Sequence, residues 1–96
     1  MQQRKEWYRD KDCALWYALH GDTASVHCEV YHWNISVAAR GKILIKGLQE
    51  EMAKKGALFL YTVNDNPKFS KMFGAKVLGY TEVDGKEYEV LGWELR

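Results

Sequence analysis

The chain alternates apolar and polar residues in two neighbouring segments, as β-strands do. CALWYALH, residues 13–20, is followed by Gly21-Asp22 and then by TASVHCEV. Because this dipeptide favours a two-residue turn, we predict a β-hairpin that pairs His20 with Thr23. The more apolar face of this hairpin is expected to pack against the core. It carries Cys13, Leu15, Tyr17, Leu19, Val26, Cys28, Val30 and His32. The mixed face carries Ala14, Trp16, Ala18, His27, Glu29, Tyr31 and Trp33.

A helix is predicted over residues 41–56, GKILIKGLQEEMAKKG. Leu44, Leu48 and Met52 recur every four residues and form one apolar stripe with Ile45 beside them. Gly56 is typical of the position just after a helix. The continuous apolar run ALFLYTV at 57–63 predicts a buried strand. Strand, helix and strand in this order predict that the strands near 26–35 and 57–63 are parallel.

The rest of the chain predicts a short helix over 67–73 and two strands, 77–83 and 86–95, joined by a type I′ turn at Asp84-Gly85. A short additional strand is expected near Glu6–Arg9. The fold class is therefore α/β (α+β): a mixed, mostly antiparallel sheet with a central βαβ crossover. Ninety-six residues support one core, and we expect a single domain over residues 1–96.

Composition narrows the class of protein. Apolar residues make up 47% and charged residues 28%, and no apolar run is long enough for a membrane span. Residues 36–76 hold eight basic and three acidic side chains, a net +5, which marks either an anion site or a solvated helix. Cys13 and Cys28 lack metal-ligand spacing and read as small buried residues in a reducing compartment. The polar N-terminus lacks a signal peptide, so a cytoplasmic location is expected.

Two stretches resemble the GNAT superfamily of acetyl-CoA-dependent N-acetyltransferases. Arg40–Gly56 is similar to the family's acetyl-CoA helix and to the last glycine of its R/Q-x-x-G-x-G/A loop. FSKMFGAKVLGY, residues 69–80, is similar to the L-Y-E-K-x-G-F-x-x-x-G segment. Ser36 and Ala39 depart from the loop pattern, and the two helices that follow the family's first strand are missing. The resemblance implies a minimal or degenerate GNAT-like domain.

The resemblance also implies where acetyl-CoA, the expected cofactor, would bind. A helix start at Gly41, flanked by Arg40 and Lys42, would hold the diphosphate, although many helices after a strand start in this way. The main chain of Trp33, Ile35 and Val37 would line the pantetheine arm. Asn66, or Asn64, would face the cofactor, unless these asparagines only cap the helix at Pro67.

Transfer to an amine requires a base, and Glu29 is the first candidate because the resemblance places a glutamate there. Alternatively, Glu29 is only a surface residue of the strand that pairs with a lysine. In that case His27 or His32 is the candidate base. Burial among aromatic rings would favour the basic role. Ser70, at the catalytic position where the family often has a tyrosine, cannot act as an acid as tyrosine can. The leaving thiolate would therefore be protonated through water or by a nearby tyrosine such as Tyr61 or Tyr80.

Three functions remain open. The first is an acyl-CoA-dependent N-acetyltransferase that acts on an amine of a protein, such as a lysine, or of a small molecule. The second is a catalytically inactive protein of the same shape, of a kind suited to viruses or mobile elements, which uses its exposed sheet face for contacts with a protein partner or with itself. Separately, the two apolar faces of the second hairpin favour a homodimer. The third, a nucleic-acid binder using Arg40, Lys42, Lys46, Lys68 and Lys71, is disfavoured by a net charge of only +1. No metal and no membrane partner is expected.

Overall fold

Residues 4–64 and 73–95 are described in the computed structural model, and they form one helix and six strands. In chain order these are β1 (Lys5–Arg9), β2 (Cys13–His20), β3 (Thr23–Val30), α1 (Ile35–Lys54), β4 (Phe59–Asn64), β5 (Lys76–Val83) and β6 (Lys86–Glu94). The expected strand near Glu6–Arg9 is thus present. The predicted helix over 67–73 falls on residues 65–72, which lie outside the described residues, except for Phe73.

The strands make one six-stranded sheet in the order β1-β2-β3-β4-β6-β5. Every neighbouring pair is antiparallel except β3 and β4, which are parallel and are connected through α1. This topology confirms the predicted fold class. It places the βαβ crossover at the centre of the sheet and leaves β1 and β5 as its edges.

Both turn predictions are confirmed. β2 and β3 pair without a shift in register from His20–Thr23 to Cys13–Val30. In the second hairpin Asp84 and Gly85 have φ angles of 52° and 78°, as a type I′ turn requires at both central positions. The first turn sets the register of its whole hairpin, and the second sets it from Val83–Lys86 to Gly79–Val90, beyond which the register of β5 shifts.

Helix α1 begins six residues before the predicted start at Gly41, so that prediction is wrong. Asn34 is the N-cap, and its side-chain oxygen accepts a hydrogen bond of 3.0 Å from the amide of Val37. The β-branched Ile35 and Val37 favour a strand locally, but the cap and the burial of Val37 against the sheet outweigh that preference.

The end of α1 is confirmed. The helix stops at Lys54, and Gly56 follows with a φ of +94°. The amide of Gly56 donates to the carbonyl of Ala53, and that of Ala57 donates to Met52. This pair of bonds is a Schellman motif, which needs a left-handed residue that glycine adopts without strain.

The core lies between α1 and one face of the sheet. Leu48 and Met52 of the predicted stripe are fully buried, as is Leu60 of β4. Among the described residues, the buried side chains that cluster together are those of Cys13, Leu15, Ala24, Val26, Ile45, Leu48, Met52, Ala57, Leu60, Ala75, Leu91 and Trp93. No helix among the described residues is both long enough and apolar enough to cross a membrane.

Gly41 sits inside α1 at a point of close packing. A Cβ atom there would lie 2.8 Å from Cζ of Phe73. The glycine therefore lets the ring of Phe73 approach the helix. This contact, rather than a helix start, accounts for glycine at this position.

Candidate active site

The parallel strands β3 and β4 part from each other. Their pairing covers only three positions, from Thr23–Phe59 to Ser25–Tyr61. β3 then continues to Val30 and β4 continues to Asn64, without a further paired position. We call the space between residues 26–30 of β3 and 62–64 of β4 the β3–β4 gap.

Main-chain groups of β3 face this gap. At the turn, Thr23 pairs with His20 and so faces β2. The carbonyl of Asp22 faces the opposite way and accepts a hydrogen bond of 2.6 Å from the amide of Leu58, just before β4. Peptide groups alternate sides along a strand, and the register of β2–β3 contains no shift. The N–H and C=O groups of Cys28 and Val30 therefore point away from β2 and into the gap.

The parting of the strands also corrects the prediction of a buried Cys28. Cys28 and Val30 were expected in the core, but both side chains are exposed. Burial on that face continues only where β4 lies beside β3, as at Ala24 and Val26. Cys13, on the better covered strand β2, is buried as predicted.

Glu29 lies on the opposite face of the sheet from α1, four residues beyond Ser25, the last residue of β3 that pairs with β4. The hydroxyl of Tyr31 donates to its Oε2 at 3.1 Å, and Nε2 of His27 lies 3.4 Å from its Oε1. His27 and Tyr31, which were predicted to share a face with Glu29, therefore contact its carboxylate. The expected burial is wrong, because the side chain of Glu29 is 48% exposed.

Strand β1 completes the surroundings of Glu29. Arg9 donates to the hydroxyl of Tyr31 at 3.5 Å and to Glu6 at 2.9 Å, and its guanidinium lies 5.4 Å from the ring centre of Trp16. The hydrogen bond to Glu6 raises the pKa of Arg9. The contact between Arg9 and Tyr31 spans 22 residues and was missed, because no local pattern signals it.

Arg40 does not stand free at the start of a helix. It forms ion pairs with Asp10 and with Asp12, whose oxygen lies 3.2 Å from Nη2. Asp10 also accepts from the hydroxyl of Tyr8 at 2.5 Å and from the amides of Asp12 and Cys13. Arg40 therefore ties the β1–β2 turn to α1, a role that sequence reasoning missed.

The hydrogen bonds around Asp10 change its ionisation. The bond from Tyr8 lowers the pKa of Asp10 most, and the amides of Asp12 and Cys13 and the side chain of Arg40 lower it further. Burial opposes them, but the net pKa lies well below the usual range of a carboxyl group. Asp10 is therefore a carboxylate wherever the protein is folded near neutral pH.

The other residues predicted to contact the cofactor occupy different positions from those expected. Ile35 and Val37 belong to the first turn of α1 instead of a strand; Ile35 is exposed and Val37 is buried. Gly41 and Lys42 lie in the second turn, where backbone amides bond to carbonyls within the helix. Asn66 and Ser70 lie outside the described residues, so the roles expected of them stay predictions.

The candidate proton donors are separated by the sheet order. Tyr61 is the last residue of β4 that pairs with β3 and lies directly beside the gap, whereas Tyr80 lies on the edge strand β5 with β6 in between. His32 is 72% exposed and its Nδ1 lies 3.6 Å from Asp12. Among the described residues, no cluster of His, Cys, Asp or Glu side chains could hold a metal ion.

Comparisons with known proteins point to one fold. No protein-family model and no curated protein sequence matches the chain. A solved aminoglycoside 6'-acetyltransferase type Ii is similar over 93% of this chain, with a TM-score of 0.74 and 17% identity. A protein assigned as a phosphinothricin N-acetyltransferase follows with a TM-score of 0.63, 20% identity and 88% of this chain.

A third similar structure is an aminoglycoside acetyltransferase, AAC(6')-Ib, in complex with coenzyme A, with a TM-score of 0.60, 7% identity and 88% of this chain covered. The chain spans only 66%, 61% and 67% of the lengths of these three structures. At such identities the likeness concerns the fold. The described residues therefore have the fold of the GNAT acetyltransferases.

Proposed function

We propose that the protein is an N-acyltransferase that moves an acyl group from a pantetheine thioester, with acetyl-CoA as the expected donor, to an amine. The observation that carries the proposal is the parting of β3 and β4 after Ser25 and Tyr61. It occurs in a fold shared with acetyltransferases, one of which was solved with coenzyme A. The free thiols Cys13 and Cys28 suit a reducing compartment, and we place the protein in the cytoplasm.

The gap fits the pantetheine arm of such a donor. The arm is narrow and carries amide groups, so it can pair with a strand edge through main-chain hydrogen bonds. Cys28 and Val30 present that edge on β3, in place of the residues Trp33, Ile35 and Val37 that were expected to do so. An arm bound there would bring its thioester to the strand segment that carries Glu29.

The chemistry needs a base and a proton donor. Glu29 would accept a proton from the amine, whose nitrogen then attacks the thioester carbonyl. The carbon–sulfur bond breaks, the amide forms, and the sulfur takes up a proton, for which Tyr61 beside the gap is the candidate. Because a thioester is already reactive, much of the acceleration would come from holding the reactants together.

Proline at position 28 tests binding in the gap. Cys28→Pro removes an amide N–H that faces the gap, so it removes no hydrogen bond to β2. We expect it to weaken acetyl-CoA binding at least about tenfold by calorimetry, equivalent to about 1.4 kcal/mol. Cys28→Ala, which keeps the N–H, is the matched control and should bind as the wild type does.

The outcomes separate the alternatives. Release of free thiol from acetyl-CoA in the presence of primary amines would demonstrate transfer. If folded wild-type protein binds no acetyl-CoA at millimolar concentration, the acyltransferase proposal fails and the inactive binding protein of the same shape is favoured. Equal binding by both Cys28 variants would show that the donor does not use the edge of β3.

A further inference from the structure

The N-cap of α1 occupies one of the backbone amides that a phosphate group would bind. The first four amides of a helix lack partners within it and can bind anions. Here the amide of Val37 already donates to the side chain of Asn34 at 3.0 Å, and the amide of Ala38 donates to the carbonyl of Asn34. The bond of Ala38 is the first regular bond of the helix, so the cap occupies one of the four amides from Asn34 to Val37.

The charge beside this helix start is negative. Arg40 binds two carboxylates, those of Asp10 and Asp12, so the three groups together carry a net negative charge. The carbonyl of Asp12 accepts hydrogen bonds from the amides of Tyr31 at 2.7 Å and of His32 at 3.3 Å. Asp12 therefore lies against the segment that leads from β3 into α1.

Asp12 is also firmly placed. Its side chain is only 10% exposed, and it contacts both Arg40 and His32. A carboxylate held in this way repels phosphate and has no such effect on a neutral pantetheine arm, since screening by solvent is reduced where side chains are buried. The charge beside the start of α1 thus favours the neutral half of coenzyme A over the half that bears the phosphates.

We propose that this protein recognises its donor through the acyl-pantetheine arm and draws little binding energy from the phosphate-bearing nucleotide. The inference rests on the proposed function and specifies its substrate class. Donors are acyl thioesters of pantetheine, whether the arm ends in the nucleotide of coenzyme A or is carried as phosphopantetheine on an acyl carrier protein. The arm enters the β3–β4 gap and the nucleotide stays outside it.

Calorimetry on the wild-type protein tests this with four probes: acetyl-CoA, acetyl-pantetheine, 3′-phosphoadenosine 5′-diphosphate, and an acyl carrier protein bearing an acetyl-phosphopantetheine arm. We expect acetyl-pantetheine and acetyl-CoA to bind with dissociation constants within about fivefold of each other. The nucleotide alone should bind at least about a hundredfold more weakly. The carrier protein separates the two sources of the arm: tighter binding than acetyl-pantetheine supports a protein-borne donor, and weaker binding supports a free thioester.

The overturning results are distinct. Acetyl-CoA binding more than about thirtyfold tighter than acetyl-pantetheine, or tight binding of the nucleotide alone, overturns the inference and leaves the acyltransferase proposal standing. Failure of all the thioesters to bind overturns the proposed function and the inference with it.

Lys42 provides a second check, because it is exposed and its removal leaves the core intact. Lys42→Ala should change the affinity for acetyl-CoA by less than about twofold, as should the matched control Lys46→Ala one turn further along α1. A loss of about tenfold in Lys42→Ala alone, with acetyl-pantetheine binding unchanged, would show that the nucleotide is held after all.

Discussion

Two side chains hold the Glu29 carboxylate, one at each oxygen. Tyr31 donates to Oε2, and His27 lies beside Oε1. Arg9 in turn binds the hydroxyl of Tyr31. The carboxylate is therefore oriented by contacts at the surface of the sheet, and it keeps lone pairs that can accept a proton from an amine.

Glu29→Gln tests the role of this carboxylate. Glutamine keeps the shape of the side chain but is a very weak base, so we expect the transfer rate to fall by about a hundredfold. Calorimetry should show unchanged binding of acetyl-CoA. Glu82→Gln, at an exposed position on β5, is the control and should leave both quantities unchanged. A Glu29→Gln protein with wild-type turnover would remove Glu29 as the base.

The lowered pKa of Asp10 predicts how the stability of the fold depends on pH. Its folded pKa lies below the unfolded value of about 3.9, so its carboxylate stabilises the fold above that pH. The contribution is lost as the pH falls below about 4 toward the folded pKa. We expect the free energy of unfolding, measured in urea, to decrease between about pH 5 and pH 2.

Asp10→Asn should be less stable at neutral pH and should show a smaller decrease in acid. Asp84→Asn is the control, because asparagine also suits the type I′ turn and Asp84 is exposed. If the free energy of unfolding of Asp10→Asn falls in acid as much as that of the wild type, the contacts of Tyr8 and Arg40 with Asp10 do not stabilise the fold.

Among the elements, α1 differs most from its prediction. The sequence WNISVAARG contains β-branched residues, and its resemblance to a phosphate-binding loop favoured a start at Gly41. In the structure Asn34 caps the helix and Val37 packs into the core. An asparagine before a run of helix-forming residues was the available signal for this start.

Asn34→Ala tests the helix start. Loss of the cap leaves the amide of Val37 without its side-chain partner, so we expect a loss of about 1 kcal/mol in the free energy of unfolding. For a domain of this size the melting temperature should fall by about 4–8 °C. Asn34→Asp keeps an acceptor oxygen and should remain close to wild type. No change in Asn34→Ala would place the true start of the helix elsewhere.

At the scale of the whole molecule, one face of the sheet carries α1 and the other carries the Glu29 surroundings. On this second face Phe59 and Val63 of β4 remain exposed. The chain spans only 66% and 61% of the lengths of two solved structures of the same fold. The homodimer considered from the sequence stays a prediction.

The sequence by itself determined the features that depend on a few neighbouring residues. Gly21-Asp22 and Asp84-Gly85 set two hairpin registers, Gly56 ended the helix, and the apolar stripe around Leu48 identified its buried face. These follow from local backbone preference and from periodic burial. A single sequence displays both directly.

Only the tertiary structure decided the site. The pairing of Arg40 with Asp10 joins residues 30 apart, and that of Arg9 with Tyr31 joins residues 22 apart. The parting of β3 and β4 likewise involves two strands that the whole of α1 separates in the sequence, so no run of residues encodes it locally. Local backbone preferences allow many arrangements of the same elements, and packing of the whole chain selects one of them. Contacts between residues far apart in the sequence form only in that selected arrangement.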